Sequence, residues 1–510
     1  MDYNFQVDWI SKWAKYTPNK FFLREYNSSR EWNFKEFNNA ANHLADYLIS
    51  KVGLKKKDRL AVYSSNNAEY VLLFSACVKT GIILVPLNFR LAPRELDQLI
   101  DDADPKVLVY EEEYEENFNR LKSVQESQVK LKISDISKFF ERKDETVADY
   151  VDSSIGENDS VMILYTSGTT GKSKGALITH KMLFWNAVNT SLRLDLNSSD
   201  HTQSFAPFFH TGGWNVLFTP FLHCGASHTL LTKFDAELIL ELMQNEKATI
   251  LFGVPTMLQM MSDSGKFNKV DLSSVRYAIV GGAPMPIPLI EKWHSKGVYI
   301  RQGYGLTEVG PNVFSLHHDD AVKKKGSIGF PNFYFEVKLM NEKNEECGIN
   351  EVGELWIKSP VVTPGYWRNE EATTNSITDG WFHTGDMMRY DEDGYFYVVD
   401  RKKNMYISGG ENVYPAEVEK YLYTNPKIKE AAVIGVADEK WGEVGKAFIV
   451  LKENENSTES EFYEYCLGNL AKYKIPKYYQ IMDELPRNEA GKIDKKVLLE
   501  LHNKSINLTK

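Results

Sequence analysis

Ile163-Leu164-Tyr165-Thr166-Ser167-Gly168-Thr169-Thr170-Gly171-Lys172-Ser173-Lys174-Gly175 is the stretch on which the reading of this chain turns. The apolar run Val161 to Leu164 leads into it as the end of a strand. Five hydroxyl residues, three glycines and two lysines then fall within the eleven positions 165–175, and from Ala176 to Val188 an apolar pattern resumes. Small residues leave backbone N–H groups accessible, hydroxyls add donors and lysines add charge, so such a loop can wrap a polyphosphate. Gly171-Lys172-Ser173 invites comparison with a Walker loop. That motif needs a glycine five positions before the Gly-Lys pair, where this chain has Thr166, so a kinase- or motor-type nucleotide site is disfavoured. Taken alone, the stretch is equally compatible with a solvated polar turn.

Upstream, Phe34, Phe37, Ala41, Leu44 and Leu48 recur at helical spacing, and residues 1–60 read as mainly helical. Leu60 to Tyr63, Ile82 to Leu87 and Lys106 to Tyr110 read as strands. Helices are expected from Asn67 through Ala76 and from Pro93 to Ile100, with Pro93 in the first turn. Residues 112–158 are charged and weakly patterned, which suits surface structure. Downstream, Thr249 to Pro255 and Tyr277 to Gly282 are apolar runs that stop at Gly or Pro, the endings at which open α/β sheets place ligands. From 326 to 400 short strands and turns predominate, with Pro364-Gly365, Asp379-Gly380 and Asp393-Gly394. A charged break at Asp400-Arg401-Lys402-Lys403-Asn404 precedes a compact α+β pattern, whose clearest strands are Ala431 to Val436 and Ala447 to Leu451. The expected fold is therefore α/β: a large N-terminal domain, residues 1–400, of layered α/β subdomains plus a β-rich subdomain, and a small α+β domain, residues 401–510.

At 510 residues the chain exceeds a single ordinary core. Its net charge of −10 argues against a general nucleic-acid binder while leaving room for a local basic site. Cys77, Cys224, Cys347 and Cys466 are far apart and form no Cys-x-x-Cys, so buried thiols in a reducing compartment are expected. Met1-Asp2-Tyr3-Asn4-Phe5 lacks the basic head and apolar core of a signal peptide, and no apolar run approaches the roughly 18 residues of a membrane span. A cytoplasmic protein is expected. Trp9, Ile10, Trp13 and Tyr16 with Lys12 and Lys15 would suit peripheral membrane contact; an ordinary packed helix is the plainer reading.

The run Tyr165 to Gly175 closely resembles the phosphate loop of the adenylate-forming superfamily, which includes acyl- and aryl-CoA ligases, luciferases and adenylation domains. The resemblance continues in order from about Trp32 to Leu498. It implies that Thr166, Ser167, Gly168, Thr169, Thr170, Gly171 and Lys172 hold the phosphates of ATP. Gln302-Gly303-Tyr304-Gly305-Leu306-Thr307-Glu308 resembles the adenine and metal motif: Tyr304 against the adenine with Gly303 and Gly305 beside it, Thr307 on the α-phosphate, Glu308 on Mg²⁺. A hard carboxylate suits a hard cation. Gly281-Gly282-Ala283-Pro284 resembles the other wall of the adenine site. Trp381-Phe382-His383-Thr384-Gly385-Asp386 resembles the ribose motif, with Asp386 on the hydroxyls and Arg401 nearby. Pro486-Arg487-Asn488-Glu489-Ala490-Gly491-Lys492 matches the loop whose lysine, Lys492, serves adenylation. Lys403 stands at the hinge of the small domain, residues 401–510, which the resemblance implies is mobile, and Ser408, Gly409 and Gly410 on the side that CoA approaches. Many CoA ligases carry Asp at that hinge, so Lys403 departs from that subset, though Lys is also common in the superfamily. For most of these motifs, taken singly, a turn or a solvated side chain would account for the residues; their joint order carries the reading.

Phe208-Phe209-His210-Thr211-Gly212-Gly213-Trp214-Asn215 lacks the Asp that amino-acid-activating relatives place there, which argues against an amino-acid substrate. By resemblance His210 gates the acyl pocket, and a core histidine is its alternative. Trp214, Val280, Gly281, Gly305, Val309, Gly310 and Pro311 complete an uncharged lining. An alkyl chain gains about 0.8 kcal/mol per buried CH₂ in such a lining. The resemblance thus implies an AMP-forming acyl-CoA ligase of fatty-acid metabolism. It would convert a medium- or long-chain fatty acid to acyl-AMP and pyrophosphate and then transfer it to CoA, using ATP and Mg²⁺. An aryl acid, a carrier-protein acceptor and a non-catalytic acyl-adenylate binder are the alternatives, and a homodimer is left open.

Overall fold

The run from Val161 to Leu164 does become a strand. In the computed structural model Ser160–Thr166 turns back through the loop into Lys174–Thr179, the two pairing antiparallel from Ser160↔Thr179 to Thr166↔Lys174. They close one edge of a six-stranded sheet whose other members, moving away from the loop, are Ile83–Leu87, Arg59–Tyr63, Val107–Tyr110 and Val129–Lys132, all parallel. Alternation explains why the sheet is covered on both faces. Leu60 and Val62 enter one core with Val107, Val109, Met162 and Leu164, while Ala61 and Tyr63 enter another with Leu108, Tyr110 and Ile163. The structure describes residues 5–126, 128–143, 145, 147–150, 152–166, 173–283, 285–408, 411–467, 469–488 and 491–507.

The chain divides into two compact units, residues 1–337 with 357–382 and residues 338–356 with 383–510. The first holds two further sheets. One is ordered Arg30–Asn33, Phe21–Glu25, Ser227–Leu230, His201–Ser204, and the other Ile250–Gly253, Tyr277–Val280, Tyr299–Tyr304, Phe314–Ser315, Phe330–Pro331. The second unit carries an antiparallel sheet ordered Glu411–Val413, Tyr406–Ser408, Gly442–Leu451, Ile428–Asp438, with Tyr478–Ile481 parallel to Gly442–Leu451. Helices Pro415–Leu422, Glu459–Cys466 and Lys495–Asn507 belong to this unit.

Two local expectations need correction. Residues 1–60 are not mainly helical, because Phe21–Glu25 and Arg30–Asn33 form a hairpin between the helices Trp9–Tyr16 and Phe34–Ser50. Phe22 and Trp32 are buried from that hairpin, and pairing with Ser227–Leu230 some 200 residues on overrides the local helical pattern. The charged span 112–158 contributes an edge strand, Val129–Lys132, with Leu131 as its buried member. The helix Asn67 was expected to open is capped by its side chain, which accepts from the Tyr70 N–H at 2.8 Å. In the helix Trp9–Tyr16, Ile10 is buried and the Trp13 indole donates to the Leu222 carbonyl at 3.0 Å, so much of its apolar face is packed against protein. No helix among the described residues is long and apolar enough to cross a membrane.

Candidate functional site

In the first unit three strand ends present the residues singled out by their motifs. Tyr277–Val280 and Tyr299–Tyr304 run parallel with Val280 opposite Gln302, so Gly281 follows one strand directly beside Gly303 in the other. A Cβ built on Gly281 would lie 3.6 Å from the Gly303 carbonyl oxygen, and little else is near. Gly282 turns the chain away at φ +81° and Ala283 is exposed. Beyond Tyr304 the chain folds back on itself so tightly that a Cβ on Gly305 would meet the backbone of Pro311 at 2.4 Å. The short helical turn Thr307–Val309 sits inside this bend, with Thr307, Glu308, Val309 and Gly310 buried, Pro311 and Tyr304 half-buried, and Val280 fully enclosed.

Glu308 is the centre of this half. It is 8% exposed, and its Oε1 accepts from the Tyr366 hydroxyl at 2.9 Å and from Thr166 Oγ1 at 3.4 Å. The fold thereby brings the entrance of the phosphate loop to the predicted metal residue across 142 positions. Glu308 Oε2 receives no hydrogen bond from a described residue, so one carboxylate oxygen is available to a cation, the arrangement a magnesium ligand requires. Ser167, Gly168, Thr169, Thr170, Gly171, Lys172 and Pro284 lie outside the described residues.

Tyr366 was not singled out by motif. It lies on a strap, Thr363 to Arg368, laid along the strand Lys174–Thr179: Ala176 bridges to Tyr366, the Trp367 N–H donates to the Gly175 carbonyl at 2.7 Å, and the Leu177 N–H donates to that of Gly365 at 3.1 Å. Its phenol is pushed far above the ordinary range by burial and by the Glu308 charge, so the hydroxyl is a permanent donor. The Trp367 indole and the Tyr165 hydroxyl both reach Asp102, at 3.0 Å (its carbonyl) and 2.6 Å (its carboxylate), and so tie the strap and the loop strand to the helix Pro93–Ala103.

The aromatic segment divides in two. His210 is exposed, and its Nδ1 accepts from the Gly212 N–H at 3.0 Å at the start of a π-helical turn, Gly212–Val216. The Phe252 ring lies 3.6 Å from where a Gly212 Cβ would be. Trp214 turns the other way. It is fully enclosed, stacked on Phe208 at 4.1 Å, against Phe74 at 4.8 Å, and its indole donates to the Phe208 carbonyl at 2.6 Å. It supports this region from the core and does not line an open pocket.

In the second unit the strand Trp381–Tyr390, from His383 onward, pairs with Phe396–Arg401 so that Asp386 stands opposite Arg401. The two form an ion pair, with Asp386 2% exposed. Asp400, a hinge residue given no role by its motif, ties the hinge to the helix beyond it. Its Oδ1 accepts from the Arg401 N–H at 2.6 Å and Asn404 Nδ2 at 2.9 Å, and its Oδ2 from the Ala416 N–H at 2.7 Å. Lys403 is exposed and Ser408 is buried at the end of its strand; Gly409 and Gly410 lie outside the described residues. Lys492 is held by its backbone: its N–H donates to Asn488 Oδ1 at 3.1 Å and its carbonyl accepts from the Asn488 N–H at 2.8 Å. The side chain keeps contact with solvent. Surrounding protein and then the Arg401 guanidinium lower its pKa, with Asp386 opposing.

The AMP-binding enzyme family model matches residues 10–367, and the model of the AMP-binding enzyme C-terminal domain matches residues 417–492. The chain belongs to the AMP-binding enzyme family. Its relatives place it on the acyl-CoA ligase branch. A feruloyl-CoA synthase of Amycolatopsis is 37% identical over 485 residues, covering 95% of this chain and 96% of that one. The long-chain-fatty-acid–CoA ligase FadD13 of Mycobacterium tuberculosis is 35% identical over 476 residues, covering 93% of each. Among solved structures, the o-succinylbenzoate coenzyme A synthetase of Bacillus subtilis with ATP and a magnesium ion superposes with a TM-score of 0.85 at 30% identity, covering 96% of this chain and 98% of that one.

Proposed function

We propose that the protein is an ATP-dependent ligase joining a carboxylic acid with an apolar body to CoA through an acyl-adenylate. The observation that carries this reading is the Thr166–Glu308–Tyr366 cluster, which sets beside the start of the phosphate loop a buried carboxylate whose second oxygen takes no hydrogen bond from a described residue. Glu308 would hold the Mg²⁺ that accompanies ATP and offsets its phosphate charge. Thr307 would donate to the α-phosphate, Tyr304 with Gly282, Ala283, Gly303 and Gly305 would take the adenine, and Asp386 beside Arg401 the ribose. In the first half-reaction a carboxylate oxygen attacks the α-phosphorus, the bond to the β-phosphate oxygen breaks, and pyrophosphate leaves. Lys492 steadies the two approaching anions. A unit-charge pair at 4 Å is worth about 4 kcal/mol at an effective dielectric of about 20 against about 1 in water, so a lysine at this step acts most strongly where solvent is excluded. In the second half-reaction the CoA sulfur attacks the acyl carbon, the bond to the AMP oxygen breaks, and the thiol proton passes to solvent. The functional boundary would lie at residue 400, where Asp400 ties Arg401, Asn404 and Ala416, with Lys403 as the hinge and Ser408, Gly409 and Gly410 as the residues that would meet CoA.

For the acid, the uncharged residues Gly281, Gly305, Gly310 and Pro311, backed by the enclosed Val280 and Val309 and with His210 at the entrance, support a medium- or long-chain fatty acid. The kinship with a feruloyl-CoA synthase supports an aryl acid as the second reading. Pyrophosphate release and acyl-CoA formation, followed by mass spectrometry over fatty and aryl acids with ATP, Mg²⁺ and CoA, decide between them. No pyrophosphate with any acid would overturn the ligase reading, and transfer to a carrier protein but not to CoA would redirect it.

A further inference from the structure

We infer that Tyr366 is a positioning residue for the divalent cation of the nucleotide: its hydroxyl orients the Glu308 carboxylate while its ring holds Lys174 away from it. The inference rests on the reading of Glu308 as the magnesium residue.

Three observations carry it. The first is the hydroxyl. Tyr366 OH donates to Glu308 Oε1 at 2.9 Å, and Thr166 Oγ1 shares that same oxygen at 3.4 Å, while Oε2 takes no bond from a described residue. A carboxylate gripped through one oxygen cannot rotate freely, so the lone pairs of the other are aimed before a cation arrives. Groups that orient a ligating carboxylate in this way commonly contribute as much to metal affinity as a weak ligand.

The second is the ring. Lys174 Nζ lies 5.2 Å from the centroid of the Tyr366 ring, within cation–π range, and has no carboxylate partner among the described residues. Lys174 pairs across the hairpin with Thr166, whose hydroxyl reaches Glu308, so the fold sets this lysine's backbone next to a residue that touches that carboxylate. A Lys174–Glu308 ion pair would occupy the oxygen the metal needs. The aromatic face offers the ammonium another seat.

The third is that Tyr366 is rigid enough for the task. It is 9% exposed, its N–H donates to Thr373 Oγ1 at 2.9 Å, and the Thr363 N–H donates to the Glu308 carbonyl at 2.7 Å. Hydroxyl, ring and strap backbone thus join the carboxylate, the lysine and the exit strand of the phosphate loop in one unit.

The test is ATP affinity by calorimetry with and without Mg²⁺ in the full chain, the ratio of the two affinities being the readout. Tyr366→Phe keeps the ring and removes the hydroxyl, and should reduce the Mg²⁺ enhancement about ten-fold, with a much smaller change in metal-free ATP affinity. Tyr366→Leu should reduce it further, and Lys174→Met in that background should restore part of the loss. A purely structural tyrosine would weaken ATP binding equally with and without metal. An unchanged ratio in Tyr366→Phe, with a reduced ratio in Glu308→Gln, would overturn the role of Tyr366 and leave Glu308 as assigned. An unchanged ratio in Glu308→Gln would overturn the assignment of Glu308 and this inference with it.

Discussion

Adding one methyl group at each of two neighbouring glycines separates the geometry of the site from its chemistry. At Gly305 a Cβ would lie 2.4 Å from the carbonyl carbon and oxygen of Pro311 and 2.7 Å from its Cα, all backbone atoms. Ordinary carbon contacts lie near 3.5 Å or beyond, so the overlap is about 1 Å and no rotamer relieves it. The bend from Tyr304 to Pro311 must open, and the turn carrying Thr307 and Glu308 moves with it. Overpacking of this kind costs about 1–3 kcal/mol. Spread over the large unit, at about 2.1 cal/mol/K per residue, that lowers its melting temperature by about 1–4 °C. At Gly281 the same methyl finds its nearest neighbour at 3.6 Å, an ordinary contact. Gly281→Ala should therefore melt within about 1 °C of the parent, the effect expected for surface-like changes below about 0.5 kcal/mol. Differential scanning calorimetry paired with continuous pyrophosphate release reads both. Gly305→Ala should lose adenylation of every acid in proportion, because the nucleotide-facing turn is displaced. Gly281→Ala should keep ATP affinity and lose activity with bulky acids selectively, because only the acyl wall has moved inward. A Gly305→Ala protein with parental stability and activity would refute the reasoning, as would a Gly281→Ala protein that lost all acids alike.

Lys492→Ala should depress acyl-AMP formation by about 10³-fold, the equivalent of about 4 kcal/mol, while thioester formation from supplied acyl-AMP stays within about two-fold. The loop should survive, since Asn488 holds the Lys492 backbone and not its side chain; equal loss of both steps, measured by rapid quench, would contradict the role. Asp386→Asn should raise the KM for ATP about ten-fold and leave that of the acid unchanged, by loss of a charge-assisted hydrogen bond worth about 1.5–3 kcal/mol; parallel rises would argue for misfolding. The buried histidines predict acid lability. Burial lowers His180 to about 4, and burial followed by the neighbouring His201 lowers His228 to about 3. The unfolded chain takes these protons near pH 6.5 and the fold does not, so the contribution is complete above pH 6.5 and is lost as pH falls towards the folded values. Each should forfeit about 2 kcal/mol by pH 5. Melting temperature against pH in His180→Gln should show a shallower fall between pH 6.5 and 5, and an unchanged slope would sink the argument.

Most of what could be read from sequence was local. Tyr277 to Gly282 and Gln302 to Glu308 each announce a strand, its end and the chemistry beyond it within seven residues or so, and the structure sets the two ends side by side. The hairpin at Phe21–Asn33 was not legible, because its aromatic residues fit a helical stripe equally well and the partner that settles the matter, Ser227–Leu230, is far along the chain. Trp214 was not legible as a core residue for the opposite reason: an aromatic run names apolar residues without saying which way each one faces. Tyr366 was missed because its meaning lies in Glu308, 58 positions away, and in a strand nearly two hundred positions upstream. Its surrounding Thr363-Pro364-Gly365-Tyr366-Trp367 reads as a turn. Asp400 belongs to the charged hinge run, but its Oδ2 acquires a role only when Ala416 folds back to it.

The strap also bears on how the protein is made. Ala176 meets Tyr366, so the hairpin that carries the phosphate loop receives its outer neighbour only after about 190 further residues have left the ribosome, about 10–40 s at ordinary synthesis rates. Until then Lys174–Thr179 is a bare sheet edge, open to any passing strand. The nascent chain therefore carries its nucleotide loop on an unfinished border, and a ribosome that stalls before codon 366 leaves behind a sheet ready to pair with its neighbours.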